Sequence, residues 1–132
     1  MLFRSLLRDA PTGLEVLMTR RSERASFAPG AYVFPGGALD EADHSPRART
    51  LSRCRPDQHD EVLGSATAHI REAFEELGVL LASDVRGEPV SAPAAQSLNR
   101  AHDGDLLAQI EQRGWRLALD HVWCFKIGRA HV

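Results

Sequence analysis

The chain has 132 residues, of which 43% are hydrophobic and 26% charged, and its formal net charge is −2. This length suits one domain with a modest core, and the composition is that of a folded chain, not a disordered one. The near-neutral charge argues against nonspecific binding to nucleic acid. No apolar stretch reaches the ~20 residues that cross a bilayer, so a cytoplasmic location is the default expectation.

The first part of the chain is predicted to form strands. Leu2–Arg8 and Leu14–Thr19 are apolar stretches on either side of the turn-forming sequence DAPTG, which predicts a hairpin. A charged loop follows. Ala31–Phe34 is then predicted as a short third strand, bounded by glycine and proline on both sides.

A long polar segment, Ala42–Gly64, comes next. Its composition predicts an exposed surface loop, and long loops are tolerated because closure entropy rises slowly with length. Its arginines are expected to be solvated, with contact to an anionic substrate as the alternative. They are Arg47, Arg49, Arg53 and Arg55.

The stretch Ala66–Val79 predicts a helix with two different faces. One face is an apolar stripe for the core, formed by Ile70, Ala73, Phe74 and Leu77. The opposite face gathers three carboxylates, those of Glu72, Glu75 and Glu76. Three carboxylates in this arrangement suit a hard divalent cation, which prefers oxygen ligands. The alternative is a solvated surface, since glutamate is a strong helix former. Gly78 is the predicted end of the helix.

The rest of the chain has weaker signals. Gly87–Pro93 is predicted as a loop, and the leucines around 98–107 indicate one or two further helices, broken near Gly104. Cys54 and Cys124 form no metal-type pair, and a disulfide framework is not expected. The last seven residues, Lys126–Val132, contain the only lysine and match the translation of a sequencing adaptor. We therefore expect a domain over 1–125 followed by a non-native tail over 126–132.

Residues 71–79, reading REAFEELGV, fit the second half of the Nudix box, and the turn Phe34-Pro35-Gly36-Gly37 lies upstream. The sequence therefore resembles the Nudix hydrolases. The interval from Gly37 to Arg71 is longer than in the family's box, so the polar segment is interpreted as an insertion. Asp43 stands where the box has its first glutamate, and its role is open. The turn, the interrupted box and the helix together resemble the subgroup of peroxisomal coenzyme A diphosphatases and their bacterial relatives.

The resemblance implies an α/β fold, a Nudix-type α/β/α sandwich with a mixed sheet that continues past the region seen here. It also implies Mg²⁺- or Mn²⁺-dependent hydrolysis of a diphosphate bond in a small-molecule substrate, a nucleoside diphosphate linked to another moiety, with coenzyme A or its acyl esters favoured. From the composition, no nucleic acid or membrane partner is expected. A non-catalytic nucleotide-binding module or an inactive fragment is the alternative.

The same resemblance assigns roles to particular residues. Glu72 and Glu76 are the principal metal ligands, and Glu75 is a third ligand or a water-orienting group. Arg71 would pair with a carboxylate of the box and hold its conformation. The substrate-binding candidates are Arg20 and Arg21, whose guanidinium groups match phosphate geometry, and Gly36 and Gly37, which let the backbone approach closely. His69, one turn before Glu72, could also line the site.

Overall fold

A computed structural model describes residues 2–3, 5–33 and 36–123. The chain divides into two compact units, Met1–Ala38 and Leu39–Val132. The predicted tail Lys126–Val132, the thiol Cys124 and the Phe34-Pro35 part of the upstream turn lie outside the described residues.

The first unit consists of short antiparallel strand pairs. The elements are β1 (Leu2–Phe3), β2 (Leu6–Ala10), β3 (Gly13–Leu17), β4 (Thr19–Arg20), β5 (Tyr32–Val33) and β6 (Gly36–Gly37). Strand β2 pairs with β3, β1 with β6, and β4 with β5. The predicted hairpin is confirmed, with its turn at Pro11-Thr12 because proline fixes one backbone angle and Gly13 accepts a φ of 127°.

The second unit combines helices with a small mixed sheet. Its elements are a 3-10 helix (Glu41–His44), α1 (Pro46–Thr50), β7 (Ser52–Arg53), α2 (Asp60–Leu77), β8 (Ala82–Ser83), α3 (Ala92–Gln96), a 3-10 helix (His102–Gly104), α4 (Leu106–Gln112), β9 (Arg116–Ala118) and a 3-10 helix (Leu119–His121). Strand β9 is central, parallel to β7 and antiparallel to β8. The predicted mixed sheet is therefore present in this unit.

The core of the second unit is built on the apolar face of α2. Ile70 and Phe74 are fully buried, as predicted, and belong to one cluster with Ile110, Leu117 and Leu119. Apolar residues at helical spacing can reach this cluster together because they project from one side of the helix. Among the helices of the described residues, none is both long and apolar enough to cross a membrane. The cytoplasmic location stays a prediction.

The segment Ala42–Gly64 is largely exposed, as predicted, but the prediction that it is an irregular loop is wrong for most of it. It contains α1, β7 and the first turn of α2, which begins at Asp60 and not near Ala66. The polar residues act in capping and do not merely face solvent: the Ser45 hydroxyl accepts a hydrogen bond from the Ala48 N–H at 3.1 Å, with proline at the first position of the helix. That the segment is an insertion relative to the family remains a prediction.

Two side chains of the same segment contact the 3-10 helix Leu119–His121, which follows β9, and the residue after it. The Arg55 guanidinium donates to the carbonyl oxygens of Asp120 and Val122, and the Gln58 amide donates to those of Leu119 and Val122. Arg55 also lies over the Trp123 ring, 3.5 Å from its centroid. The expectation of a solvated arginine is therefore wrong for Arg55. Its N–H groups donate instead to backbone carbonyls of residues that follow β9.

Helix α2 ends at Gly78, as predicted, in the left-handed conformation with φ 71°. We expect Gly78→Ala to lower the free energy of unfolding by about 1–2 kcal/mol, the cost of placing a Cβ in this conformation. A Cβ there would also lie 3.1 Å from Nη1 of Arg100. Urea denaturation measures the loss. Gly87→Ala is the matched comparison: Gly87 has φ 81° but no neighbour within 3.4 Å, so it should show the backbone cost alone, and any larger loss in Gly78→Ala measures the contact with Arg100. An unchanged midpoint in Gly78→Ala would contradict the expectation.

Candidate active site

Arg71 on α2 is the centre of a group of carboxylates. Its side chain is 13% exposed. It forms a bidentate salt bridge with Asp43, in which Nε donates to Oδ1 at 3.0 Å and Nη2 to Oδ2 at 2.9 Å. Its Nη1 donates to Oε2 of Glu75 at 3.2 Å. Carboxylate oxygens of Asp40 and Glu72 each lie 3.5 Å from the guanidinium. The guanidinium of Arg71 thus lies within 3.5 Å of four acidic side chains.

The charge of Arg71 is stabilised by these neighbours. Burial lowers the pKa of Arg71, but the hydrogen bonds to Asp43 and the negative charges of Asp43, Glu75 and Asp40 outweigh burial and raise that pKa above its ordinary value. The guanidinium therefore stays charged and keeps the carboxylates around it in place.

Asp43 is the most deeply buried acid of the group, with 2% of its surface exposed. It lies in the 3-10 helix Glu41–His44. Its Oδ2 accepts a hydrogen bond from the Asp40 N–H at 2.8 Å, and its own N–H donates to the Asp40 carbonyl at 3.1 Å. Asp43, whose role the sequence left open, thus connects this turn to Arg71 on α2. A buried carboxylate of this kind requires such partners, because an unpaired charge is costly to bury.

The three glutamates of α2 do not share one exposed surface. Glu72 is buried, Glu75 has a side chain 17% exposed, and Glu76 is exposed. The alternative of a merely solvated glutamate face is wrong for Glu72, which is buried with its carboxylate 3.5 Å from the Arg71 guanidinium. In the part of the chain that the structure describes, no three His, Cys, Asp or Glu side chains are grouped closely enough to hold a metal ion.

His102 joins this group from a distant part of the sequence. Its Nδ1 lies 3.1 Å from Oε1 and 3.2 Å from Oε2 of Glu75, and its Nε2 lies 3.5 Å from Oδ2 of Asp40. The hydrogen bond to Glu75, followed by the charges of Glu75 and Asp40, raises the pKa of His102. His102 gives no signal in the sequence, because it is 27 positions from Glu75 and carries no pattern of its own.

These residues border a cleft of about 450 Å³ within the second unit. Its lining includes Asp40, Asp43, Arg71, Glu75 and His102, together with apolar side chains of Leu106, Leu107 and Leu117. The volume falls in the range of about 300–1,000 Å³ that is common for small-molecule sites. The cleft therefore combines charged groups, mostly acidic, with an apolar wall.

Arg47 also lines the cleft, and its charge is compensated there. Its guanidinium lies 2.7 Å from Glu111 and 3.8 Å from Asp105, and the hydrogen bond to Glu111 is the main cause of its raised pKa.

The predicted phosphate-binding residues belong to the first unit. Arg20 donates to Glu23 at 2.5 Å and to the Gly30 carbonyl at 3.1 Å, and Arg21 donates to the Phe27 carbonyl at 2.8 Å. These contacts shape the charged loop between β4 and β5. Gly36 and Gly37 form β6, paired with β1. A role of all four in substrate binding remains a prediction, as does one for the half-buried His69.

No family model matches the chain. Curated relatives do match it, among them two acyl-coenzyme A diphosphatases. The acyl-coenzyme A diphosphatase of Homo sapiens is 33% identical over 112 residues, which cover 61% of this chain and 30% of the relative. The acyl-coenzyme A diphosphatase of Gallus gallus is 31% identical over 136 residues, which cover 77% of this chain and 36% of the relative. The chain thus spans roughly a third of the length of each relative.

A solved structure gives the same relationship at the level of the fold. The crystal structure of a Nudix hydrolase from Alicyclobacillus acidocaldarius matches with a TM-score of 0.64 and 31% sequence identity, over 88% of this chain and 55% of that one. The predicted α/β Nudix fold is therefore confirmed. With these relatives and this fold, the chain belongs to the Nudix hydrolase family and is similar to its acyl-coenzyme A diphosphatases.

Proposed function

We propose that the chain hydrolyses a diphosphate bond in a nucleoside diphosphate linked to another moiety, with coenzyme A or its acyl esters as favoured substrates. The observation that carries this proposal is the set of acidic side chains on and around α2, centred on Arg71. The names of the two relatives support the substrate class. The cleft, with charged groups beside leucine side chains, suits a ligand that carries both a diphosphate and an apolar arm.

We propose that this acidic site takes a hard divalent cation, Mg²⁺ or Mn²⁺, as its cofactor. Acidic groups outnumber basic ones around Arg71, since Asp40, Asp43, Glu72 and Glu75 all lie within 3.5 Å of one guanidinium. Carboxylate oxygens are the ligands these ions prefer. In our proposal Glu72, Glu75 and Glu76 would hold the cation. When bound, such an ion neutralises phosphate charge and lowers the pKa of a coordinated water.

The remaining residues have supporting roles in this proposal. Arg71 restrains the carboxylates of Glu72 and Glu75, so that neither swings away from the site. Asp43 in turn restrains Arg71 through two hydrogen bonds. The leucines of the cleft would exclude water from the apolar arm of the substrate.

A non-catalytic module that binds a nucleotide is the second candidate. It is favoured by one observation: within residues 2–3, 5–33 and 36–123, no three potential ligands are grouped in a way that could hold a metal ion. A protein of this kind would bind the substrate and leave it intact.

Hydrolysis of an acyl-coenzyme A, followed by chromatography of the two phosphate-bearing products, tests the proposal. We expect turnover that requires Mg²⁺ or Mn²⁺ and falls about 100-fold or more in Glu76→Gln and in Glu72→Gln. Calorimetric titration with Mn²⁺ should show weaker binding by both variants. Glu61→Gln is the matched control, because Glu61 is an exposed glutamate in the first turn of the same helix.

Two results would decide against the proposal. Equal Mn²⁺ binding by Glu76→Gln and the unaltered protein would remove the metal site. Saturable substrate binding without product would favour the non-catalytic module.

A further inference from the structure

We propose that His102 is a positioning residue that fixes the carboxylate of Glu75 for the proposed reaction. The inference rests on the proposed function for its purpose, whereas the contact itself is a feature of the fold. Its basis is a short strap, residues 99–105, which contacts both the side chain and the backbone of Glu75.

The side-chain contact restrains Glu75 from outside its helix. Nδ1 of His102 is almost equidistant from the two carboxylate oxygens, at 3.1 and 3.2 Å. Arg71, one turn earlier on the same helix, contacts Oε2 at 3.2 Å. The carboxylate is therefore held by an imidazole and a guanidinium together. Two partners fix the rotation of a flexible side chain far better than one, because each alternative conformation loses a charged contact.

The backbone contact comes from Arg100. Its Nη2 donates to the carbonyl oxygens of Glu75 at 3.2 Å and Glu76 at 2.9 Å. These carbonyls belong to the last turn of α2, where they lack partners within the helix, and a cation is favourable at that end of the helix dipole. The strap thus fixes the turn that carries Glu75 as well as the carboxylate of Glu75.

The strap is itself anchored to α4. The Gln109 side chain accepts from the Asn99 N–H at 2.8 Å and donates to the carbonyls of Asn99 and Gly104, each at 3.0 Å. Asp105 caps α4 by accepting from the Ala108 N–H at 3.1 Å. His102 is consequently presented from a segment that is fastened at both ends, although its side chain is mostly exposed. This anchoring is what a positioning residue needs.

The contact can be observed directly by carbon-13 NMR of the glutamate carboxyl groups in the metal-free protein. The signal of Glu75 is identified by its absence in Glu75→Gln. We expect it to shift in His102→Ala and to return toward its original position in His102→Asn, since an asparagine amide can reach the carboxylate in place of Nδ1. His121→Ala is the control, an exposed histidine in the 3-10 helix after β9. An unmoved Glu75 signal in His102→Ala would overturn the proposal.

Kinetics give the second readout. We expect kcat in His102→Ala to fall about tenfold to 100-fold with little change in KM, and to recover in part in His102→Asn. The thermal midpoint should stay close to that of the unaltered protein, because a merely structural role would move stability and not kcat alone.

A shifted Glu75 signal with unchanged kcat would also overturn the positioning role. If the unaltered protein has no hydrolase activity, the proposed function fails. The NMR comparison then still decides whether His102 fixes Glu75.

Discussion

Arg71→Leu is expected to lower the free energy of unfolding by about 3–5 kcal/mol, the usual cost of removing one partner of a buried ion pair. The substitution leaves Asp43 buried without its two guanidinium hydrogen bonds. It also removes the positive charge that separates Asp43, Glu72 and Glu75, so these carboxylates repel one another. Urea denaturation of the metal-free protein measures the loss.

Arg47→Leu is the matched control for this experiment. Arg47 borders the same cleft and also pairs with two acids, but its side chain is 46% exposed, and such pairs contribute about 0–1 kcal/mol. Arg71→Lys should lower the free energy of unfolding by an intermediate amount, because an ammonium keeps the charge but cannot form the bidentate salt bridge. Equal losses of unfolding free energy in Arg71→Leu and Arg47→Leu would show that the salt bridge of Arg71 with Asp43 contributes no more to stability than the exposed pairs of Arg47.

Phe74→Ala is expected to destabilise the second unit by about 3–5 kcal/mol, since it removes a buried aromatic ring and leaves a cavity. Phe74 is 1% exposed and lies in the cluster formed by α2, α4 and β9. Thermal and urea denaturation should both report the loss. Phe27→Ala is the control, because Phe27 is exposed in the loop between β4 and β5, and it should cost less than about 1 kcal/mol. A loss in Phe74→Ala no greater than the control would contradict the core as described.

Local signals predicted those elements whose determinants lie close together in sequence. The apolar stripe of α2 and its end at Gly78 follow from helical periodicity and from the one residue type that adopts φ 71° without strain. The β2–β3 hairpin follows from a proline and a glycine between two apolar stretches. The family resemblance rested on the same helix, and the relatives confirm it.

The fold of the polar segment could not be read from its composition. Its arginines and serines look like loop residues, and in isolation they would be solvated. Their partners are remote: Arg55 bonds to the carbonyl of Asp120, 65 residues later, and Gln58 to that of Leu119, 61 residues later. A polar side chain faces water only where the tertiary fold brings no backbone carbonyl within reach of its donors, and composition does not encode that distance.

The family resemblance predicted that Arg71 pairs with a carboxylate of the box, and Arg71 does contact Glu72 and Glu75. No local pattern showed that Asp43 is the bidentate partner of Arg71 or that Glu72 is buried. The roles of these residues in catalysis remain a prediction. His102 reaches Glu75 only because the strap and α4 fold back to the end of α2. Such contacts depend on tertiary structure, which no local pattern encodes.

The parallel pairing of β7 with β9 has a consequence for how the chain is made. Ser52 pairs with Leu117, and the Arg55 and Gln58 contacts follow the same long separation. During synthesis β7 leaves the ribosome well before β9. It stays without this partner until α2, α3 and α4 have also been made. Long-range pairing of this kind slows folding, because closing the intervening chain costs entropy before the two strands form any stabilising contact. Before β9 has been made, the nascent chain exposes the unpaired edges of β7 and β8. A chaperone would bind the chain most readily at this stage.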